Sequence, residues 1–135
     1  MNGPIAQPQG NGVYLIDTLY LRPGLAASHL VVDDGRAAFV DTGAGPAAPR
    51  LLAALDELGI ARENVDYLFL THVHLDHAGG AGQMMQALPN AKAVLHPRGA
   101  PHLIDPAKLI AGSIAVYGEA LYRELYGDII PIPAE

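Results

Sequence analysis

A mixed α/β arrangement of the α+β class, one β-sheet flanked by helices, is what this sequence predicts, and three features predict it. Short apolar runs broken by turn residues fill residues 13–41, helical spacing takes over at 46–58, and a strand–helix–strand order follows over 65–95. The 135 residues match the usual size of one domain.

Taken in order, residues 1–12 are rich in Gly, Pro, Gln and Asn and read as a flexible leader, which leaves 13–135 as the folded part. Residues 13–18 and 19–21 are short β-type runs. Residues 28–32 and 36–41 flank Asp33-Asp34-Gly35, and an Asp-Gly step between apolar runs predicts a hairpin because Gly accepts the positive φ of a tight turn. Over 46–58, Leu51, Leu52, Leu55 and Leu58 share one helical face, with Pro46 at the start and Gly59 at the end.

Residues 65–70 form a nearly continuous apolar run, expected to be a strand covered on both faces. A short helix over 79–88 and a buried strand over 91–95 then predict a parallel strand pair. From 106 to 126, Ile110, Ile114, Tyr117, Leu121 and Leu125 recur every three or four residues and predict one long amphipathic helix. Tyr117, Tyr122 and Tyr126 share its spacing and read as core or interface residues. His29, in an early strand, reads as a packing or surface histidine.

Half of the residues are hydrophobic and 16% are charged, an apolar load that needs covering. A net charge of -6, with eight scattered Lys and Arg, gives no basic patch and argues against nucleic acid as a partner. There is no cysteine, which excludes disulfides and thiolate ligands. The first ten residues lack the charged and apolar regions of a secretory signal, so a cytoplasmic location is expected. No apolar run approaches the roughly 18 to 20 residues of a membrane span.

The chemical signal is His72-Val73-His74-Leu75-Asp76-His77, at the end of the 65–70 strand. In extended backbone, residues two apart point the same way, so His72 and His74 can offer imidazole nitrogens to one metal. Asp76 and His77 follow where the chain turns towards a helix and can serve a second cation. Imidazole plus carboxylate suits zinc, manganese or iron. Ala78-Gly79-Gly80-Ala81-Gly82 lets backbone pass close to the metals. No Cys and no Gly-x-Ser-x-Gly elbow offers a competing nucleophile.

With Thr71 before it and Ala78-Gly79-Gly80 after it, this run resembles the metal motif of the metallo-β-lactamase superfamily. Asp41-Thr42-Gly43, closing the hairpin strand before the first long helix, is similar to a second hallmark of that family. The resemblance covers nearly all of residues 12–135 and implies the N-terminal half of an αββα sandwich. It implies that His72 and His74 hold the first metal, Asp76 and His77 the second, and that Asp41 lies beneath them and orients ligands by hydrogen bonding. His77 after Asp76 is similar to the dinuclear hydrolases, glyoxalase II type thioesterases and lactonases, rather than to zinc β-lactamases.

The implied chemistry is hydrolysis of a small-molecule ester, thioester or lactone by metal-activated hydroxide, with two divalent ions, zinc foremost, and Asp76 and His77 at the reacting centre. Two other outcomes are an iron-dependent oxidoreductase, of sulfur dioxygenase or flavodiiron type, and a metal-binding or assembly module without turnover. His96, Arg98 and His102 follow the 91–95 strand and are candidates for substrate contact.

A complete family domain continues with a third His for the first metal, a bridging Asp and a final His. No His follows His102, and neither Asp105 nor Asp128 has the expected setting. The expectation is therefore that the second half is missing and that these residues alone do little chemistry. Their sheet should expose an apolar face, to be covered by that half, by a companion chain or by a second copy in a homodimer.

Overall fold

The computed structural model describes residues 5–18, 26–71, 78–97, 100–121 and 132, and at 102, 108 and 117 the backbone alone. Two successive hairpins start the fold. Strand β1 (Ala6–Gly10) pairs antiparallel with β2 (Val13–Asp17), which pairs with β3 (Ala27–Asp33), which pairs with β4 (Arg36–Val40). The hairpin at 33–36 is the one expected. The first hairpin replaces part of the expected leader. Asn11 and Gly12 both take positive φ (56° and 80°), as a tight hairpin turn requires, and the Glu57 carboxylate receives the backbone N–H groups of Ile5 (3.0 Å) and Ala6 (2.9 Å). A segment too polar to build a core is thus held by a turn and by an acceptor from another element.

After β4 the connections change character. A 3₁₀ turn (Gly45–Ala47) leads into α1 (Ala48–Leu58), whose Leu51 and Leu55 are fully buried while Leu52 and Leu58 pack partly against the core. The chain returns as β5 (Val65–Phe69), parallel to β4, and passes through α2 (Ala81–Ala87) to β6 (Lys92–Val94), parallel to β5. The six strands lie in sequence order in one mixed sheet.

One face of that sheet carries the core. Ile16, Leu30, Phe39 and Leu68 are fully buried there, in one cluster with Leu51 and Leu55 of α1 and Met84 of α2. The opposite face does not match the expectation of a 65–70 strand covered on both sides. On β5, Tyr67 and Phe69 are 45% and 39% exposed, their rings 5.5 Å apart, and Val31 of β3 and Val94 of β6 are exposed beside them. A continuous apolar run shows that both faces suit burial; it does not show that this segment supplies both covers.

The last helices also differ from expectation. A short helix α3 (Ala100–Ile104) interrupts the segment after β6, and α4 (Ala107–Tyr117) stops well before residue 126. Gly118 breaks it with φ 80° and ψ 156°, its N–H returning to the Ile114 carbonyl at 2.8 Å. Residues 119–121 are helical again, so Gly118 interrupts the expected helix without cancelling the helical preference beyond it. Ile110 and Ile114 are half-buried, Val116 is exposed, and residues 122–126 of the expected helix lie outside the described residues. Among the described residues, no helix is long and apolar enough to cross a membrane.

Candidate metal centre

The three parallel strands end on one edge of the sheet, where open α/β sheets gather ligands. There β4 runs on into Asp41, β5 into Leu70 and Thr71, and β6 into Leu95 and His96, the Leu70 N–H reaching the Val94 carbonyl at 2.9 Å. Where β4 leaves the ladder, Asp41 adopts φ 63°, a left-handed conformation that Asp tolerates better than most side chains but that still costs roughly 1–3 kcal/mol. It persists because neighbours fix it. The Asp41 N–H donates to the Phe69 carbonyl at 2.7 Å, and the Ser28 hydroxyl donates to the Asp41 carbonyl at 2.8 Å.

The Asp41 side chain is turned to the next strand. One carboxylate oxygen accepts the Thr71 N–H at 2.9 Å and the other accepts the Thr71 hydroxyl at 2.8 Å. Asp41 is only 8% exposed while Thr71 is exposed, so these charge-assisted bonds are shielded from water on the Asp41 side. Thr71 immediately precedes His72, so this pair sets where the histidine run begins.

The other end of the run is fixed to the same turn. Gly80 donates its N–H to the Gly43 carbonyl at 3.0 Å, and Ala78, Gly79 and Gly80 are all buried. A Cβ on Gly80 would come within 3.3 Å of the Ala44 carbonyl oxygen and the Thr42 hydroxyl, so this approach suits glycine. Gly43, at φ 73°, leaves no room either, since a Cβ would lie 2.8 Å from the Thr18 methyl. Thr42 is fully buried and bonds the Gly43 carbonyl. Residues 71 and 78–80 therefore bracket the His72–His77 run, and both ends rest on residues 41–44.

Of the sequence-derived candidates, His72, His74, Asp76, His77 and Arg98 lie outside the described residues, as does the side chain of His102. Among the described residues, no group of three or more His, Cys, Asp or Glu could hold a metal. His96 is exposed, two residues beyond β6, at the same edge as Asp41 and Thr71. His29 is half-buried, opposite Leu15 and Val40 on the uncovered face. Sequence reasoning did not single out Ser28, because a serine in a strand carries no pattern of its own. The Gly43–Gly80 contact was signalled only by glycines in two separate motifs.

The donor set fits divalent metal. Three imidazoles and a carboxylate within six residues match the ligands that such ions take, and the residues flanking the run on both sides are bonded to one buried turn.

Comparison with known proteins places the fold in one family. The model of the metallo-beta-lactamase superfamily matches residues 21–133. The hydroxyacylglutathione hydrolase of Salmonella paratyphi A is 35% identical over 85 residues, 60% of this chain and 32% of that protein. Recombination protein 2 of Haemophilus influenzae is 35% identical over 88 residues, 62% of this chain but 10% of that protein. A metallo-beta-lactamase structure from Cronobacter sakazakii superposes with a TM-score of 0.66 over 94% of this chain and 45% of its own, at 20% identity, a likeness of fold. The chain spans about a third of the length of the hydrolase it matches.

Proposed function

The chain belongs to the metallo-β-lactamase superfamily, and on that premise we propose that it supplies His72, His74, Asp76 and His77 to a two-metal hydrolytic centre. His72 and His74 hold one divalent ion and Asp76 and His77 the other, with zinc the favoured metal. The observation that carries this reading is the bracket: the Asp41–Thr71 and Gly43–Gly80 bonds fix both ends of the histidine run to one buried turn. Divalent ions held by these four residues would supply a water of lowered pKa and positive charge near a carbonyl oxygen.

The chain's own residues do the rest. Asp41 holds Thr71 from two sides, so the first imidazole enters the site from a fixed point. The Gly43–Gly80 contact returns the chain to the same turn three residues after His77 in sequence. His96 sits at the edge where a substrate would approach, and it is proposed to contact substrate together with Arg98 and His102. The hydroxyacylglutathione hydrolase likeness and His77 together favour a small acyl ester, thioester or lactone as substrate. Further ligands and substrate contacts come from outside these 135 residues, since two ligands per metal are fewer than a catalytic site uses.

The test is metal content and turnover in the full natural protein. Elemental analysis should find two zinc per chain, falling to about one in the Asp76→Ala/His77→Ala double variant, with thioester hydrolysis lost by at least 100-fold. Wild-type protein that holds no metal after exposure to zinc, iron and manganese would end this reading.

A further inference from the structure

We propose that Ser28 is a positioning residue of the metal centre, its hydroxyl fixing the left-handed Asp41 peptide and, through the Asp41 carboxylate, the Thr71 anchor from which the histidine run departs. The inference rests on the metal-centre reading above.

The β3–β4 ladder ends at the His29–Val40 pair, and the next pair in register would set Ser28 against Asp41. Asp41 leaves that ladder by taking φ 63°, and the Ser28 side chain takes up its carbonyl at 2.8 Å, with the Val40 carbonyl at 3.2 Å. One hydroxyl proton serves both carbonyls, and the shorter contact marks Asp41 as the main acceptor. Ser28 is fully buried, so no water competes for its proton. Asp41 is thereby held on its N–H by β5, on its carbonyl by β3 and on its carboxylate by Thr71. Removing the β3 hold leaves a strained residue with fewer constraints, and its relaxation moves the carboxylate on which Thr71 rests. Small displacements of the groups that orient metal ligands weaken metal binding without touching a ligand.

The variants are Ser28→Ala, which removes the donor, and Ser28→Cys, which keeps nearly the same volume with a much weaker donor. In the full natural protein, zinc affinity is measured by competition with a chromophoric chelator, and amide hydrogen exchange is followed at Thr71 and at core residues Leu30 and Phe39. Ser28→Ala should weaken zinc binding by about 10-fold. It should also speed exchange at Thr71 several-fold more than at Leu30 and Phe39, and Ser28→Cys should fall between it and wild type.

Exchange that rises equally at Thr71 and in the core, or zinc affinity within twofold of wild type, would overturn the proposal by reducing Ser28 to a packing residue. If Ser28→Ala does not fold, Ser28→Cys carries the same comparison. Wild-type protein that binds none of zinc, iron and manganese overturns the metal-centre reading and this inference with it, an outcome distinct from variants that bind as wild type does.

Discussion

The two faces of the sheet are made by alternate residues of the same strands, yet they differ in what covers them. On one, Phe39, Leu30 and Leu68 are fully buried under α1 and α2; on the other, Tyr67 and Phe69 of β5 stand about 40% exposed beside Val31 and Val94. Residue type does not separate the faces, since the side chains named on both are large and apolar. Strand composition therefore reports what a face suits, and only the connections report what is laid over it. The α1 and α2 crossovers both fall on one side, and among the described residues no helix packs on the other.

The sharpest test sets one phenylalanine against another. Phe39→Ala should cost about 3–5 kcal/mol, by lost burial and the cavity left behind, whereas Phe69→Ala should cost under about 1 kcal/mol in the 135-residue chain. Urea unfolding measures both, and equal losses would show that Phe69 is covered after all.

A smaller effect concerns association. If a second copy covers this face, the Tyr67→Ser/Phe69→Ser double variant should weaken that association by about tenfold or more in sedimentation equilibrium, with its urea midpoint little changed. Association unchanged by this variant would mean that the uncovered face is not the contact surface.

The smallest effect lies at the sheet's outer strand, on the covered side. Backbone N–H groups of Ile5 and Ala6 hold the Glu57 carboxyl below the usual glutamate range, the Ile5 bond being the larger cause. A carboxyl whose pKa is lower in the folded state stabilises the fold above its unfolded pKa, and loses that contribution as pH falls through the folded value. Wild type should therefore exceed Glu57→Gln in stability at neutral pH, and the gap should close below about pH 4. Thermal melts between pH 3 and 7 would show it, and protection of the Ile5 and Ala6 amides, taken relative to the intrinsic exchange rate at each pH, should fall over the same range. A gap that persists at pH 3 would assign the tether to something other than charge.

Much of the fold was legible because local chemistry dictates it. Asp34-Gly35 turns a hairpin wherever it sits between apolar runs, and Leu51 and Leu55, four apart, must share a helical face. Asn11-Gly12 carried the same hairpin signal as Asp34-Gly35, but the polar residues around it masked it as leader. Gly118 likewise marked the end of α4 within a periodic pattern that ran on past it. At the candidate site, the sequence named the ligand types and the Asp41-Thr42-Gly43 turn.

What the sequence by itself determined, then, is the order of β2 to β6 with α1 and α2 between them, and the ligand types present in residues 72–77, because propensity, turn geometry and residue type are properties of neighbouring residues. The tertiary structure decided that Glu57, more than fifty residues away, would start β1, that one apolar face would be covered and the other left open, and that Ser28, Asp41 and Thr71 would form a chain of hydrogen bonds leading to the histidines. Those depend on which strands lie side by side and in what register, and a residue's partner across a sheet is fixed by register and crossover direction, which no local pattern encodes.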